Sequence, residues 1–435
     1  MNAARTTRRF FLGGVAAGLL TPAVARALKR GTPANERIQL GFIGLGGMGR
    51  SHLDRLFSHP EVRIIAGADP DARMRKGAAN KAKEAGGLLA VYPRYQEMLA
   101  AHPDIDAVFV ATPDHWHALA AIDAMRAGMD VYCEKPLALT IAQGRAMVAE
   151  ARRLGRVVQV GTMQRSDQPQ FRHACELVRN GRIGEVKRVV CFFKENPREE
   201  YHPDTEPPAY LDWDYWLGPA PRRAFNPQIH PYNWRYFRDY SGGLLTDWGV
   251  HLFDIAQWGL DKDATSPIQV TANSALHADN LYDFPRFAHI IYQYADNAVI
   301  EWHQATREAV DGVIEAGETY GTKFYGSEGE VFVNRSGIKV RGKDGAAVDE
   351  NLEGAAIRLP VSNSHHQDFF DAMRSRRRPL CDVETGHRAT VISHLGGIAS
   401  QLGRPLRYDP DAERFTGDPV ANRLLDRPMR SPWRL

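Results

Sequence analysis

The chain has 435 residues, 43% of them hydrophobic and 25% charged, a profile that excludes disordered and collagen-like proteins. At roughly 150 residues per domain, that length builds two or three domains with enough core to need no disulfide staples. The formal charge is +3, but four arginines and no acids fall in residues 1–27, and the remaining 51 basic and 52 acidic residues give a charge of −1, so charge makes no case for nucleic acid or a membrane surface as partner.

At the N-terminus, Thr7-Arg8-Arg9-Phe10-Phe11-Leu12 precedes a short apolar run to Leu20 and then Ala25-Arg26-Ala27. That is the order of a charged region, an apolar region and a small-residue cleavage site, and it reads as an export signal. The run is too short and glycine-rich to cross about 30 Å of hydrocarbon. Paired arginines followed by Phe and Leu resemble a twin-arginine signal. The expectation is export to the periplasm or beyond, cleavage near Ala27, a linker over residues 28–36, and a mature chain with no membrane span.

From residue 37 to 161, apolar strand-like runs (Ile38 to Ile43, Val62 to Ala68, Ala107 to Ala111, Val131 to Cys133, Val157 to Val160) alternate with amphipathic helical ones such as Ala118 to Ala127 and Ile141 to Leu154. This alternation predicts βαβ units and a doubly wound parallel sheet. Between 162 and 410 the pattern changes to longer segments with period-2 alternation: Val186 to Phe193, Ile268 to Ser274, Phe287 to Tyr294, Ala298 to His303, Lys323 to Tyr325 and Gly329 to Val333. The prediction there is an α+β domain whose large sheet is mostly antiparallel, covered by helices around Leu244 to Trp258 and His365 to Arg374. Residues 196–240 form an insertion dense in Pro, Trp and Tyr, and 411–435 a polar tail that wraps the surface.

Gly44-Leu45-Gly46-Gly47-Met48-Gly49 follows a predicted strand and opens a helix. Such glycines permit a tight turn, close backbone approach to a pyrophosphate and close helix packing, with the phosphates on the helix N-terminus. Asp69 ends the next strand, 20 residues beyond Gly49, where a carboxylate accepts from the ribose hydroxyls and disfavours a 2′-phosphate. NAD is therefore expected, with NADP the alternative, because Arg73, Arg75 and Lys76 follow closely.

Cys133-Glu134-Lys135-Pro136 sits at the carboxyl end of a predicted strand, the edge where doubly wound sheets bind ligands. Pro136 disfavours a helical Lys135, whose ammonium can then reach the crevice and stabilise developing alkoxide charge. Gly243 leads into a helix on which Asp247, His251 and Asp254 share one face. An imidazole oriented by a carboxylate suits proton removal from an alcohol near neutral pH; a helix cap and a core histidine are the bland alternative.

On these residues the chain resembles the glucose-fructose oxidoreductase / inositol dehydrogenase (Gfo/Idh/MocA) family over most of 37–410. Also matching are Ala111-Thr112-Pro113 with His117, Gly181 to Val186, Tyr325-Gly326 with Gly329, and Arg404-Pro405-Leu406. The resemblance implies a Rossmann domain followed by an α/β domain whose open sheet often mediates dimer or tetramer contacts, and an enzyme that moves a hydride between the nicotinamide and a CH–OH carbon. It implies Lys135, Asp247 and His251 as the catalytic group, His251 being the acid/base. It places Thr112, Pro113 and His117 along the cofactor, Glu134 near the nicotinamide ribose or carboxamide, and Gln164 and Arg165 beside the nicotinamide and substrate, although Gly161-Thr162-Met163-Gln164-Arg165 departs from the commoner Asn-Arg-Arg segment.

The substrate expected is a sugar, glycoside or polyol. Trp213, Tyr215, Trp216, Tyr232, Trp234, Arg235 and Tyr236 cluster before the catalytic helix, with Trp234 and Arg235 as substrate contacts. Aromatic faces stack on sugar C–H faces while an arginine satisfies hydroxyls, but the same cluster also suits a lid or a dimer contact. His115, His365 and His366 lack a third ligand at metal spacing, and Cys133, Cys175, Cys191 and Cys381 form no CxxC pair, so no metal is expected. Because the periplasm lacks a nicotinamide pool, export implies a cofactor bound before translocation and held tightly. Two alternatives stay open: glycoside cleavage by transient oxidation and elimination, and a non-catalytic sugar sensor.

Overall fold

A computed structural model describes residues 37–275, 280–306, 315 and 317–435; the expected export signal and linker lie outside the described residues. The N-terminal part carries β1 (Ile38–Ile43), β2 (Val62–Ala68), β3 (Ala90–Tyr92), β4 (Ala107–Val110), β5 (Asp130–Cys133) and β6 (Val158–Val160). They pair in parallel in the order β3-β2-β1-β4-β5-β6. All four residues of β4 and of β5 are buried, which explains why these strands read as unbroken apolar runs rather than alternating ones: helices cover both faces. Strand β3 has a half-buried, mixed sequence and carries no such signal.

Helix ends follow local chemistry. Thr140 caps Ile141–Leu154 by accepting from the Gln143 amide, and Gly155, at φ 60°, closes the helix in the left-handed region. The helix Asp114–Arg126 is apolar almost all round because both sides are covered. Trp116 donates from Nε1 to the Trp216 carbonyl in the insertion (2.9 Å) and packs edge-on against Trp433 of the tail at 4.9 Å.

The second sheet contains β7 (Val186–Phe193), β8 (Gln269–Ser274), β9 (Ala288–Gln293), β10 (Val299–Gln304), β11 (Gly321–Gly326), β12 (Gly329–Asn334), β13 (Gly337–Gly342), β14 (Leu406–Asp409) and β15 (Arg414–Phe415), in the order β13-β12-β11-β7-β10-β9-β8-β14-β15. Only the β7–β10 pairing among these is parallel. Val189, Cys191, Ile290, Tyr292, Ile300 and Trp302 point into the core, against helices Pro169–Arg179, Gly249–Leu260 and Val383–Leu402. The opposite face presents His289, Ile291, Glu301 and His303, none fully buried.

Four details differ from the sequence reading. Helix His365–Ser375 packs on the first sheet and not on the second, its Phe369, Phe370 and Met373 sharing a core with Phe42, Phe109 and Tyr132. Helix Val383–Leu402 was not anticipated; its buried residues occur all round the circumference, since it packs both on the sheet and on Ile141–Leu154, so no polar face sets a helical period. The segment 244–258 is not one helix: Leu244–Asp247 and Gly249–Leu260 are separated at Trp248, whose ring stacks on Phe193 at 4.4 Å. Strands β13, β14 and β15 extend the sheet beyond the expected edge.

Candidate active site

A cleft of about 640 Å³ runs from the Gly44 loop, across the carboxyl edge of the parallel sheet, to the insertion and the β12–β13 turn, a volume typical of cofactor and ligand sites. At its first end Gly44 has φ 91°, and a Cβ there would stand 2.6 Å from the Ala111 carbonyl oxygen. Gly46 and Gly47 would meet no atom within 4 Å, so their lack of side chains leaves open space rather than relieving a clash. Gly46 provides no side-chain cap for the helix Gly47–Leu56, and the first-turn amides stay available to an anion.

Asp69 accepts from the Leu45 amide through Oδ2 and from the Asp71 amide through Oδ1, both at 2.8 Å. Burial pushes its carboxyl up to about 6. It thereby ties the glycine loop to the end of β2 while still facing the cleft. Arg73 lines the cleft too but is already paired: Nη2 donates to Asp71 Oδ2 at 2.8 Å and the guanidinium lies 3.6 Å over Tyr210. Arg75 donates to the Asp69 carbonyl at 2.6 Å. Thr112 also lines the cleft, its Oγ1 buried with no hydrogen-bond partner among the described residues. These residues fit a dinucleotide: a glycine cradle, open amides, a ribose-side carboxylate and an unpartnered hydroxyl.

At the other end, Lys135 Nζ donates to Asp247 Oδ1 (2.5 Å) and to the Asp247 carbonyl (2.9 Å). Arg235 Nε lies 3.6 Å from the same Oδ1, and its guanidinium carbon lies 4.5 and 4.3 Å from the ring centres of Tyr232 and Trp234. Burial pushes the Asp247 carboxyl up, but the charges of Lys135 and Arg235 outweigh it and hold Asp247 below its ordinary value. His251, 5% exposed, also lines the cleft. Burial, then the charges of Lys135 and Arg335, drive its pKa well below 6.5, so the imidazole is neutral; its Nδ1 has no hydrogen-bond partner among the described residues. Glu134 meets His52 Nε2 at 2.9 Å; burial pushes its carboxyl up, but that bond together with the charges of His52, Lys135 and His117 outweighs it and holds Glu134 below its ordinary value.

Of the residues expected in the site, Gly44, Gly46, Gly47, Met48, Asp69, Thr112, Pro113, Glu134, Lys135, Trp234, Arg235, Asp247 and His251 line this one cleft. Gly49, His117, Gln164 and Arg165 do not. Gly49 packs behind the loop, where a Cβ would stand 2.0 Å from the Gly44 carbonyl oxygen. His117 straps two cleft loops together through the Pro136 (2.8 Å) and Thr112 (2.9 Å) carbonyls. Gln164 sits behind the imidazole, with Nε2 donating to the His251 carbonyl (3.0 Å) and its oxygen accepting from Arg335 Nε (3.3 Å). Arg165 is buried in ion pairs with Asp254 (2.8 Å) and Asp263 (2.7 Å). The aromatic insertion divides: Tyr215, Trp216, Tyr232 and Trp234 face the cleft, while Trp213 stacks on Trp216 inside the insertion's own core.

Arg335 and Trp248 also line the cleft and were missed. Arg335 occupies the β12–β13 turn with its guanidinium 4.7 Å over the Trp248 ring; only strand pairing brings residue 335 to residue 248, so no spacing could announce it. His115 contacts the Trp216 carbonyl, His365 the Val160 carbonyl and Ser166, and His366 the other nitrogen of His52.

Fold and cleft together define a class: a doubly wound dinucleotide domain joined to an open-sheet domain, with lysine, carboxylate and imidazole at their junction. Residues 38–162 match the oxidoreductase family's NAD-binding Rossmann fold and 193–435 its C-terminal alpha/beta domain. The chain belongs to the Gfo/Idh/MocA oxidoreductase family. It is 28% identical over 295 residues to the uncharacterized oxidoreductase YrbE of Bacillus subtilis, covering 66% of this chain and 72% of that protein. It is 27% identical over 242 residues to inositol 2-dehydrogenase of Rhizobium meliloti, covering 56% and 60% respectively. Among solved structures, the WlbA dehydrogenase from Bordetella pertussis in complex with NADH and UDP-GlcNAcA superposes with a TM-score of 0.63 at 16% identity over 86% of this chain and 99% of that one. Myo-inositol 2-dehydrogenase from Lactobacillus plantarum gives 0.61 at 20% identity, over 86% and 100%.

Proposed function

We propose that the protein is an NAD-dependent oxidoreductase that oxidises or reduces a ring carbinol of a sugar, glycoside or related polyol. The observation that carries this reading is the convergence of the Lys135–Asp247 pair and the neutral His251 in the cleft that begins at the glycine loop. Gly44, Gly46, Gly47, Asp69 and Thr112 would hold the dinucleotide. Bound NAD supplies the hydride acceptor. His251 is neutral and takes the carbinol proton on an imidazole nitrogen. Lys135 donates a hydrogen bond to the same substrate oxygen and stabilises the charge that develops there. Asp247 fixes the ammonium in place, and Arg235 with Tyr232 and Trp234 offers a stacking wall and hydroxyl donors for a sugar ring.

The substrate class is supported by the carbohydrate and inositol names among the relatives and by the aromatic lining. An arginine already committed to Asp71 gives no 2′-phosphate clamp, in line with NAD over NADP. Export through a twin-arginine signal, with the cofactor already bound, belongs to the same reading, as does self-association through the open sheet face.

The test is to denature the purified protein, identify the released nucleotide by mass spectrometry, and follow reduced-nicotinamide absorbance as sugars are added to native protein. Stoichiometric NAD(H) and a sugar-dependent signal are expected. An empty supernatant contradicts tight retention, and silence against every sugar favours a sensor.

A further inference from the structure

On the sheet face turned away from the helices, His303 of β10 pairs directly opposite His289 of β9, and Glu301 lies two residues along on the same face. Both imidazoles aim Nε2 at one carboxylate oxygen: His303 Nε2 is 2.8 Å and His289 Nε2 3.1 Å from Glu301 Oε2. The three atoms lie within 4.8 Å of one another. The other oxygen, Oε1, accepts from Arg188 Nε at 2.6 Å, which fixes the carboxylate and leaves Oε2 to the histidines. The His303 and Glu301 side chains are 12% and 13% exposed, that of His289 41%. None of the three lines the cleft.

We propose that His289, Glu301 and His303 form a binding site for a zinc-class divalent ion, separate from the nucleotide cleft. With bonds of about 2.0–2.2 Å to nitrogen and oxygen, a four-coordinate ion sets neighbouring ligand atoms roughly 3.3 Å apart. The 2.8 and 3.1 Å nitrogen–oxygen separations need widen by only a few tenths of an ångström, while the two rings, stacked at 4.2 Å with 29° between their planes, must turn so that both Nε2 lone pairs converge on the ion. Two imidazoles and one carboxylate favour Zn²⁺, Co²⁺ or Ni²⁺ over Ca²⁺ or Mg²⁺, which take oxygen ligands. To bind, each neutral imidazole carries its proton on Nδ1 and offers the Nε2 lone pair, so two N–H···O bonds are exchanged for two bonds to the ion. Arg188 stays on Oε1 and keeps the carboxylate oriented, as partners of ligating groups do. The fourth position opens on the sheet face and takes water. No sequence motif marks this set, because residues 289 and 301 meet only through strand register.

The test uses the full, tag-free chain, stripped with a chelator, mixed with zinc chloride, desalted and assayed for metal, with isothermal titration for affinity. Stoichiometric zinc is expected, together with tetrahedral visible absorption when cobalt chloride replaces zinc. His289→Ala, at a half-exposed position, should lower zinc affinity at least about tenfold and abolish the cobalt spectrum while leaving the protein folded and its turnover unchanged. Wild-type protein that retains no zinc, or a His289→Ala protein that retains zinc with unchanged affinity, overturns the proposal.

Discussion

The two ends of the cleft are built differently. The nucleotide end comes from three short stretches, residues 44–48, Asp69 and Thr112, the first two tied to each other by the Leu45–Asp69 hydrogen bond. The reaction end is assembled from Glu134–Lys135, the insertion around 230–235, Asp247 to His251, and Arg335. A binding end that needs backbone amides and open space can be encoded locally. A chemical end that needs an ammonium, a carboxylate and a neutral imidazole at set distances draws on elements of both sheets, and its charges are tuned against each other across that distance.

A pair of arginines sharpens this contrast most. Arg165 and Arg235 were both expected at the substrate, yet Arg165 is 3% exposed and paired with the fully buried Asp254. Arg165→Ala strands that carboxylate and should cost about 3–5 kcal/mol of stability, read as a lowered denaturant midpoint. Arg235→Ala leaves Asp247 paired with Lys135 and should cost less stability than Arg165→Ala, but lower kcat/KM about 10- to 100-fold through lost substrate hydrogen bonds. Equal stability losses would place the two arginines in one role and break the comparison. Lys135→Ala comes next: kcat should fall about 10²- to 10³-fold while nucleotide still co-purifies, and loss of the nucleotide would show that the ends are not independent.

What the sequence announced follows the same division. The glycine loop, Asp69 and the long apolar strands are local patterns, and each was legible. Lys135 at a predicted strand end, and Asp247 and His251 on one face of a predicted helix, do meet in the cleft. Asp254 shares a helix face with His251 by spacing, which does not tell which neighbour that face meets, and Arg165, expected at the substrate only from the family resemblance, is that neighbour. Arg335 and the helix Val383–Leu402 were invisible for a related reason: one owes its position to a hairpin turn and the other is buried on all sides, so neither leaves a period in the chain.

The glycine loop permits a cleaner separation of binding from folding. Gly47→Ala adds a methyl that meets no protein atom, so the unfolding midpoint should hold, while the methyl intrudes on the space for the phosphates and lowers nucleotide affinity about tenfold, equivalent to about 1.4 kcal/mol. Gly49→Ala places its Cβ 2.0 Å from the Gly44 carbonyl oxygen and should lower both midpoint and affinity. Titration of stripped protein with NAD, beside thermal unfolding, separates the two. If Gly47→Ala leaves affinity unchanged, the phosphates do not lie over this turn.

The smallest effect concerns pH. His251 works as a base only when neutral, and burial together with Lys135 and Arg335 depresses its pKa well below 6.5. Depression means that the proton is refused until the solution is more acid, so the acid limb of kcat should fall below pH 6.5. Arg335→Gln removes one of the opposing charges and should move that limb upward. The same depression has a stability consequence of fixed sign: the unfolded imidazole takes up a proton below pH 6.5 that the folded one does not, so this group makes unfolding easier as pH falls. A kcat profile between about pH 5 and 8, measured with saturating sugar, tests both proteins. An acid limb at or above 6.5 in the wild type would mean that the imidazole is solvated or paired, and the charge coupling across the reaction end would fail with it.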